Sequence, residues 1–172
     1  MMSQLDIVKP DVSLFQRVAQ FISYEAGLID DRNWHDWLAL FAPDAKFWAP
    51  AWIDDHKFTS DPARQASLIY ADMHDLEARV YRIESEDSYA SMPLPQTSHV
   101  VTCTNVQQGP NGLIKARANW IVHFFWRTKG AFVRAGRYEY EFRETDDDLR
   151  IVLKKVIVHD DRVISPIDVY NI

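Results

Sequence analysis

Ala116-Arg117-Ala118-Asn119-Trp120-Ile121-Val122-His123-Phe124-Phe125-Trp126-Arg127 decides the fold class. Its even positions, Ala116, Ala118, Trp120, Val122, Phe124 and Trp126, are all apolar, and its odd positions include Arg117, Asn119, His123 and Arg127. Alternation with period two marks a strand with one face buried. Thr128-Lys129-Gly130 follows as a tight hairpin turn. The chain then returns with Phe132, Gly136, Tyr138, Tyr140 and Phe142 on one face and Arg137, Glu139, Glu141 and Arg143 on the other. Asp146-Asp147-Asp148 turns it again, into Leu149 to His159, and Gln107-Gln108-Gly109-Pro110-Asn111-Gly112 is the earlier turn of the same meander. Everything after Thr97 reads as consecutive hairpins.

Toward the N terminus the period changes to that of helices. Ser13 with Gln16 forms a capping-box start, and Leu14, Val18, Phe21, Ile22 and Leu28 follow mostly on one stripe. Gly27 is expected to loosen the end of that helix, and Asp30 or Asp31 to cap a second. In the second, Trp34, Trp37, Leu38 and Phe41 stand at i, i+3, i+4 and i+7, and Pro43 ends it. Ala45 to Ala51 reads as a first strand, Asp54 to Arg64 as a polar loop, and Ser67 to Ala71 as a short strand. His74 to Glu86 reads as a third helix through Leu76, Val80 and Ile83, and Met92-Pro93-Leu94-Pro95 as an extended connection. Helices followed by hairpins predict an α+β fold, a bent antiparallel sheet with helices on one face. No repeat or linker divides residues 1–172, so one domain is expected.

Composition narrows the function. At 172 residues the chain is long enough to bury about 70% of its unfolded surface. The net charge of −6 argues against nucleic acid, because phosphate binding needs a basic surface. No apolar run approaches the roughly 18 residues of a membrane span, and residues 1–11 carry no signal-peptide pattern. Cys103 is the single cysteine, so an internal disulfide is impossible and a reducing cytoplasm is expected. It lies in the strand-like run Val100-Val101-Thr102-Cys103-Thr104, where a cysteine is a small apolar residue rather than an activated thiolate.

Candidate chemistry is sparse. The histidines, at 35, 56, 74, 99, 123 and 159, are never closer than 18 residues, so no pair shares a helix turn as metal ligands do. Thiolate ligation of an iron–sulfur cluster by this chain alone is excluded by its one cysteine. Phosphate-cradling loops are not expected with five glycines, and no nucleophile elbow is present. Asp30-Asp31-Arg32, before the tryptophan helix, reads as a helix cap with a local ion pair, or as a base at the mouth of a pocket. His99 and His123 read as hydrogen-bonded structural histidines unless a carboxylate orients them. No catalytic, cofactor-binding or metal-binding residue is assigned to the chain. Four of the six tryptophans lie within residues 34–52, a cluster that marks a core, a pocket wall or an interface anchor.

Several segments carry a resemblance. Glu25-Ala26-x-Leu28-x-Asp30-Asp31-Arg32-x-Trp34-x-x-Trp37-Leu38 is followed by Phe47-Trp48-x-Pro50-Ala51-Trp52 and Ser67-Leu68-Ile69-Tyr70. Then come Leu76-Glu77-x-Arg79-Val80-x-Arg82-Ile83, Pro95-x-Thr97-Ser98-His99, Lys154-Lys155-Val156-x-Val158 and Asp168-x-Tyr170-Asn171-Ile172. In order and spacing these resemble the small (β) subunit of aromatic-ring-hydroxylating, Rieske non-haem iron dioxygenases, most closely the benzoate, toluate and anthranilate branch. The resemblance implies an NTF2-like cone, a curved antiparallel sheet packed against N-terminal helices, with residues 1–11 a flexible or partner-contacting arm. It also implies a cytoplasmic α3β3 hexamer in which the small subunits trimerise and bind the large α subunit. The Rieske [2Fe–2S] cluster and mononuclear Fe(II) would sit on that α subunit, and NADH would act through a reductase, to cis-dihydroxylate an aromatic acid. The small subunit is then structural, and Trp52 is the tryptophan expected to reach a partner. NTF2-like cones also host isomerases and dehydratases with a carboxylate or histidine base in an apolar pocket. Asp31, Tyr24 and His99 are the candidates for that alternative.

Overall fold

The computed structural model describes residues 12–85, 92–146, 148–163 and 165–172, so the arm expected at 1–11, Glu86 and Asp147 lie outside the described residues. Helix α1 (Val12–Asp30) and the short α2 (Trp34–Leu38) lead into β1 (Phe41–Pro50). A small hairpin of β2 (Trp52–Asp54) and β3 (Lys57–Phe58) precedes β4 (Ser67–Ala71) and α3 (Met73–Glu84). The long strands β5 (Gln96–Gln108), β6 (Leu113–Trp126), β7 (Gly130–Glu144) and β8 (Leu149–Val158) complete the chain.

The six-stranded sheet has the order β4-β1-β8-β7-β6-β5. Hairpin register holds where the alternation demanded it: Val122 faces Arg134 and Trp126 faces Gly130 across β6 and β7. The sheet is mixed rather than wholly antiparallel, because β1 runs parallel to β8. That pairing follows from the N-terminal helices, which carry the chain across one face before it re-enters the sheet beside its last strand. The even residues of β6, from Ile114 to Trp126, are all buried on that helix-covered face. Against them pack Val18, Phe21, Ile22, Leu28 and Ile29 of α1, with Phe21 edge-on to Phe142 at 5.3 Å. Each fully buried large apolar side chain contributes roughly 1.5–3 kcal/mol.

Three local expectations change. Helix α1 runs through Gly27 to Asp30, and among the described residues Ser13 is already helical. Helix α2 stops at Leu38, and both Phe41 and Pro43 belong to β1. Phe41 keeps its place beside Trp37, the rings 5.1 Å apart, so the helical spacing correctly paired two residues while misjudging the backbone between them. The N-cap of α2 is Asn33, without a side-chain cap bond, and both carboxylate oxygens of Asp30, expected as a cap, are engaged with β5 instead. Within the segment expected as a polar loop, Lys57–Phe58 pairs with β2, and Phe58 packs on Trp52 at 3.8 Å.

After β8 the chain folds back over the end of the sheet. Buried Arg134 of β7 donates from Nη2 to the Ser165 carbonyl at 2.8 Å and to Ser165 Oγ at 2.6 Å. Its Nη1 reaches the carbonyls of Pro166 and Asn171 at 3.4 Å, and its guanidinium lies 5.1 Å from the centre of the Phe124 ring. The tail Val169-Tyr170-Asn171-Ile172 is buried as a result.

Candidate functional site

The concave interior between α1 and the sheet holds two polar clusters in otherwise apolar surroundings. Glu25 falls on the buried stripe of α1, three residues after Ile22 and four before Ile29, and is 1% exposed. Its Oε1 accepts from Lys154 Nζ at 2.6 Å and from Trp37 Nε1 at 3.1 Å, and its Oε2 accepts from Tyr140 OH at 2.7 Å. The Lys154 ammonium is 4.3 Å from the centre of the Tyr138 ring and within 6 Å of those of Tyr140 and Phe47. Burial pushes the Lys154 pKa down, while the Glu25 carboxylate opposes that shift. Burial, reinforced by the Glu25 charge, holds the Tyr138 and Tyr140 hydroxyls well above the ordinary phenol range.

A bulge makes this pair. Phe142 pairs with Ile151 and Glu141 with Leu153, so β8 gains one residue against β7 and its side-chain phase inverts. Ile151 and Lys154 both face inward in consequence. A strict period of two starting from Ile151 would have turned Leu153 and Lys155 inward instead. Sequence reasoning therefore missed Glu25 and Lys154 as a site. The available signal was an acidic residue on the apolar stripe of a helix.

The second cluster joins the end of α1 to β5. Asp30 Oδ1 accepts from Thr97 Oγ1 at 2.8 Å and from the His99 Nδ1–H at 2.6 Å, and Oδ2 accepts from the His99 backbone N–H at 2.8 Å. Burial alone would raise the Asp30 pKa, but the hydrogen bonds and charge of His99, with Thr97, hold it below the ordinary carboxylate value. The His99 side chain is fully buried, and its Nε2 finds no partner among the described residues. A carboxylate on one ring nitrogen leaves the other able to take a proton, which is general-base chemistry when substrate can reach it.

The other residues expected beside His99 lie elsewhere. The structure brings His99 to Asp30, whereas Asp31 is exposed and Tyr24, at 57% exposure, points to solvent. The expected grouping of Asp31, Tyr24 and His99 does not form. A surface cavity of about 690 Å³ lies between β4 and α3, and neither Asp30 nor His99 lines it. Tyr138, Tyr140, Trp120 and the Glu25–Lys154 pair are all buried.

Metal-type donors converge at one place among the described residues, Asp72, His74 and Asp75 at the start of α3. Both carboxylates are already committed there to a reciprocal capping box, Asp75 N–H to Asp72 and Asp72 N–H to Asp75. Cys103 is half-buried, and burial raises its thiol pKa. The tryptophan cluster divides between core and partly exposed positions. Trp34 and Trp37 are core, Trp48 donates to Ser67 Oγ at 3.0 Å, and half-exposed Trp52 donates to the Val158 carbonyl at 3.1 Å. The alternating charges of β7 are paired within the sheet, Arg137 to Glu139, Glu141 to Lys115 and Arg143 to Asp44 of β1.

Comparison with known proteins supplies the context. Residues 24–165 match the family described as ring hydroxylating beta subunit. The chain is 35% identical to the benzoate 1,2-dioxygenase subunit beta of Acinetobacter baylyi, over 94% of this chain and 96% of that one. It is 37% identical to the 2-halobenzoate 1,2-dioxygenase small subunit of Burkholderia cepacia, over 93% and 97%. Among solved structures, the beta subunit of the benzoate 1,2-dioxygenase from Burkholderia mallei superimposes with a TM-score of 0.71 at 30% identity, covering 99% of this chain and all of that one.

Proposed function

Because this chain belongs to the ring hydroxylating beta subunit family, we propose that it is the structural small subunit of a dioxygenase that cis-dihydroxylates a benzoate-like aromatic acid. In this reading residues 1–172 form one unit, and three copies join three large α subunits in a cytoplasmic α3β3 assembly. The observation that carries it is the filled interior. Glu25, Lys154, Trp37 and Tyr140 satisfy one another where a pocket enzyme of this fold needs open space.

The donor set of the chain agrees with cofactors held elsewhere. A Rieske centre needs two thiolates and two imidazoles, and the chain has one cysteine. A mononuclear iron site needs two histidines and a carboxylate with open positions. The Asp72–His74–Asp75 group offers one histidine, with its carboxylates already engaged. The [2Fe–2S] cluster and Fe(II), with electrons from NADH through a reductase, are assigned to the large subunit. The contribution of this chain is to hold large subunits at fixed separations.

Co-expression with the adjacent large-subunit reading frame tests the proposal. The expected product is a brown complex with Rieske absorbance that contains both chains and converts an aromatic acid to its cis-dihydrodiol. A colourless homo-oligomer with no affinity for the large subunit would overturn it.

A further inference from the structure

We draw no further inference here: the strongest candidate, the open surface cavity of about 690 Å³ between β4 and α3 lined by Tyr70, His74, Glu77, Tyr81 and Arg82, carries charges of both signs, and nothing in the structure shows what covers it.

Discussion

Glu25 and Lys154 show how single residues set the character of the interior. Polar groups this deeply buried are tolerated because they meet each other, with Trp37 and Tyr140 on the carboxyl group of Glu25 and aromatic faces around the Lys154 head group. Lys154→Met should therefore cost about 3–5 kcal/mol in chemical denaturation, since it strands the carboxylate. The double variant Glu25→Leu with Lys154→Met should recover most of that loss, a coupling that a double-mutant cycle measures directly. Additive losses would show that the two residues act independently. Asp30 makes a prediction about pH. A carboxyl held lower in the folded than in the unfolded chain stabilises the fold above its unfolded value of 3.8, and loses that effect as pH falls through the lower, folded value. Asp30→Asn should lower stability at neutral pH, and the difference from wild type should shrink below about pH 3.8 in acid titrations followed by tryptophan fluorescence.

The elements were legible to different depths. The alternation of Ala116 to Trp126 gave β6, its burial and its pairing with β7, because period two survives wherever a strand has one wet face. It does not carry over to β8, where the bulge inverts the phase and puts Lys154 inside, a tertiary event with no local signature. The parallel pairing of β1 with β8 was hidden for a similar reason, since it joins segments about a hundred residues apart. Gly136 is an element-scale constraint that the sequence showed without explaining. A Cβ there would stand 2.0 Å from the Ile157 carbonyl oxygen and 2.8 Å from Trp120, so β7 can cross beneath the indole at a glycine alone. Gly136→Ala should lower the denaturation midpoint by the equivalent of about 3 kcal/mol or prevent folding. A stable, soluble Gly136→Ala chain with an unchanged near-UV spectrum would show that β7 and β8 sit farther apart than described.

At the scale of the molecule, the interior between α1 and the sheet is occupied by Trp37, Tyr138, Tyr140 and the Glu25–Lys154 pair, which supports the structural role proposed above. Asp30 and His99 are half-legible: the sequence points to His99 and to the Asp30-Asp31-Arg32 run, but only the three-dimensional course of α1 shows which of the two adjacent aspartates faces β5. The pair fastens the end of α1 to the edge strand β5. The test that bears most directly on this reading uses the assembled dioxygenase, carrying His99→Gln or Asp30→Asn in the small subunit. Turnover of the aromatic acid is measured at neutral pH and normalised to Rieske absorbance. A purely structural chain leaves kcat per cluster within about twofold of wild type, less than 0.5 kcal/mol of barrier. A loss of about 100-fold or more in kcat, with the complex intact and its iron content unchanged, would place chemistry on this subunit and contradict the account.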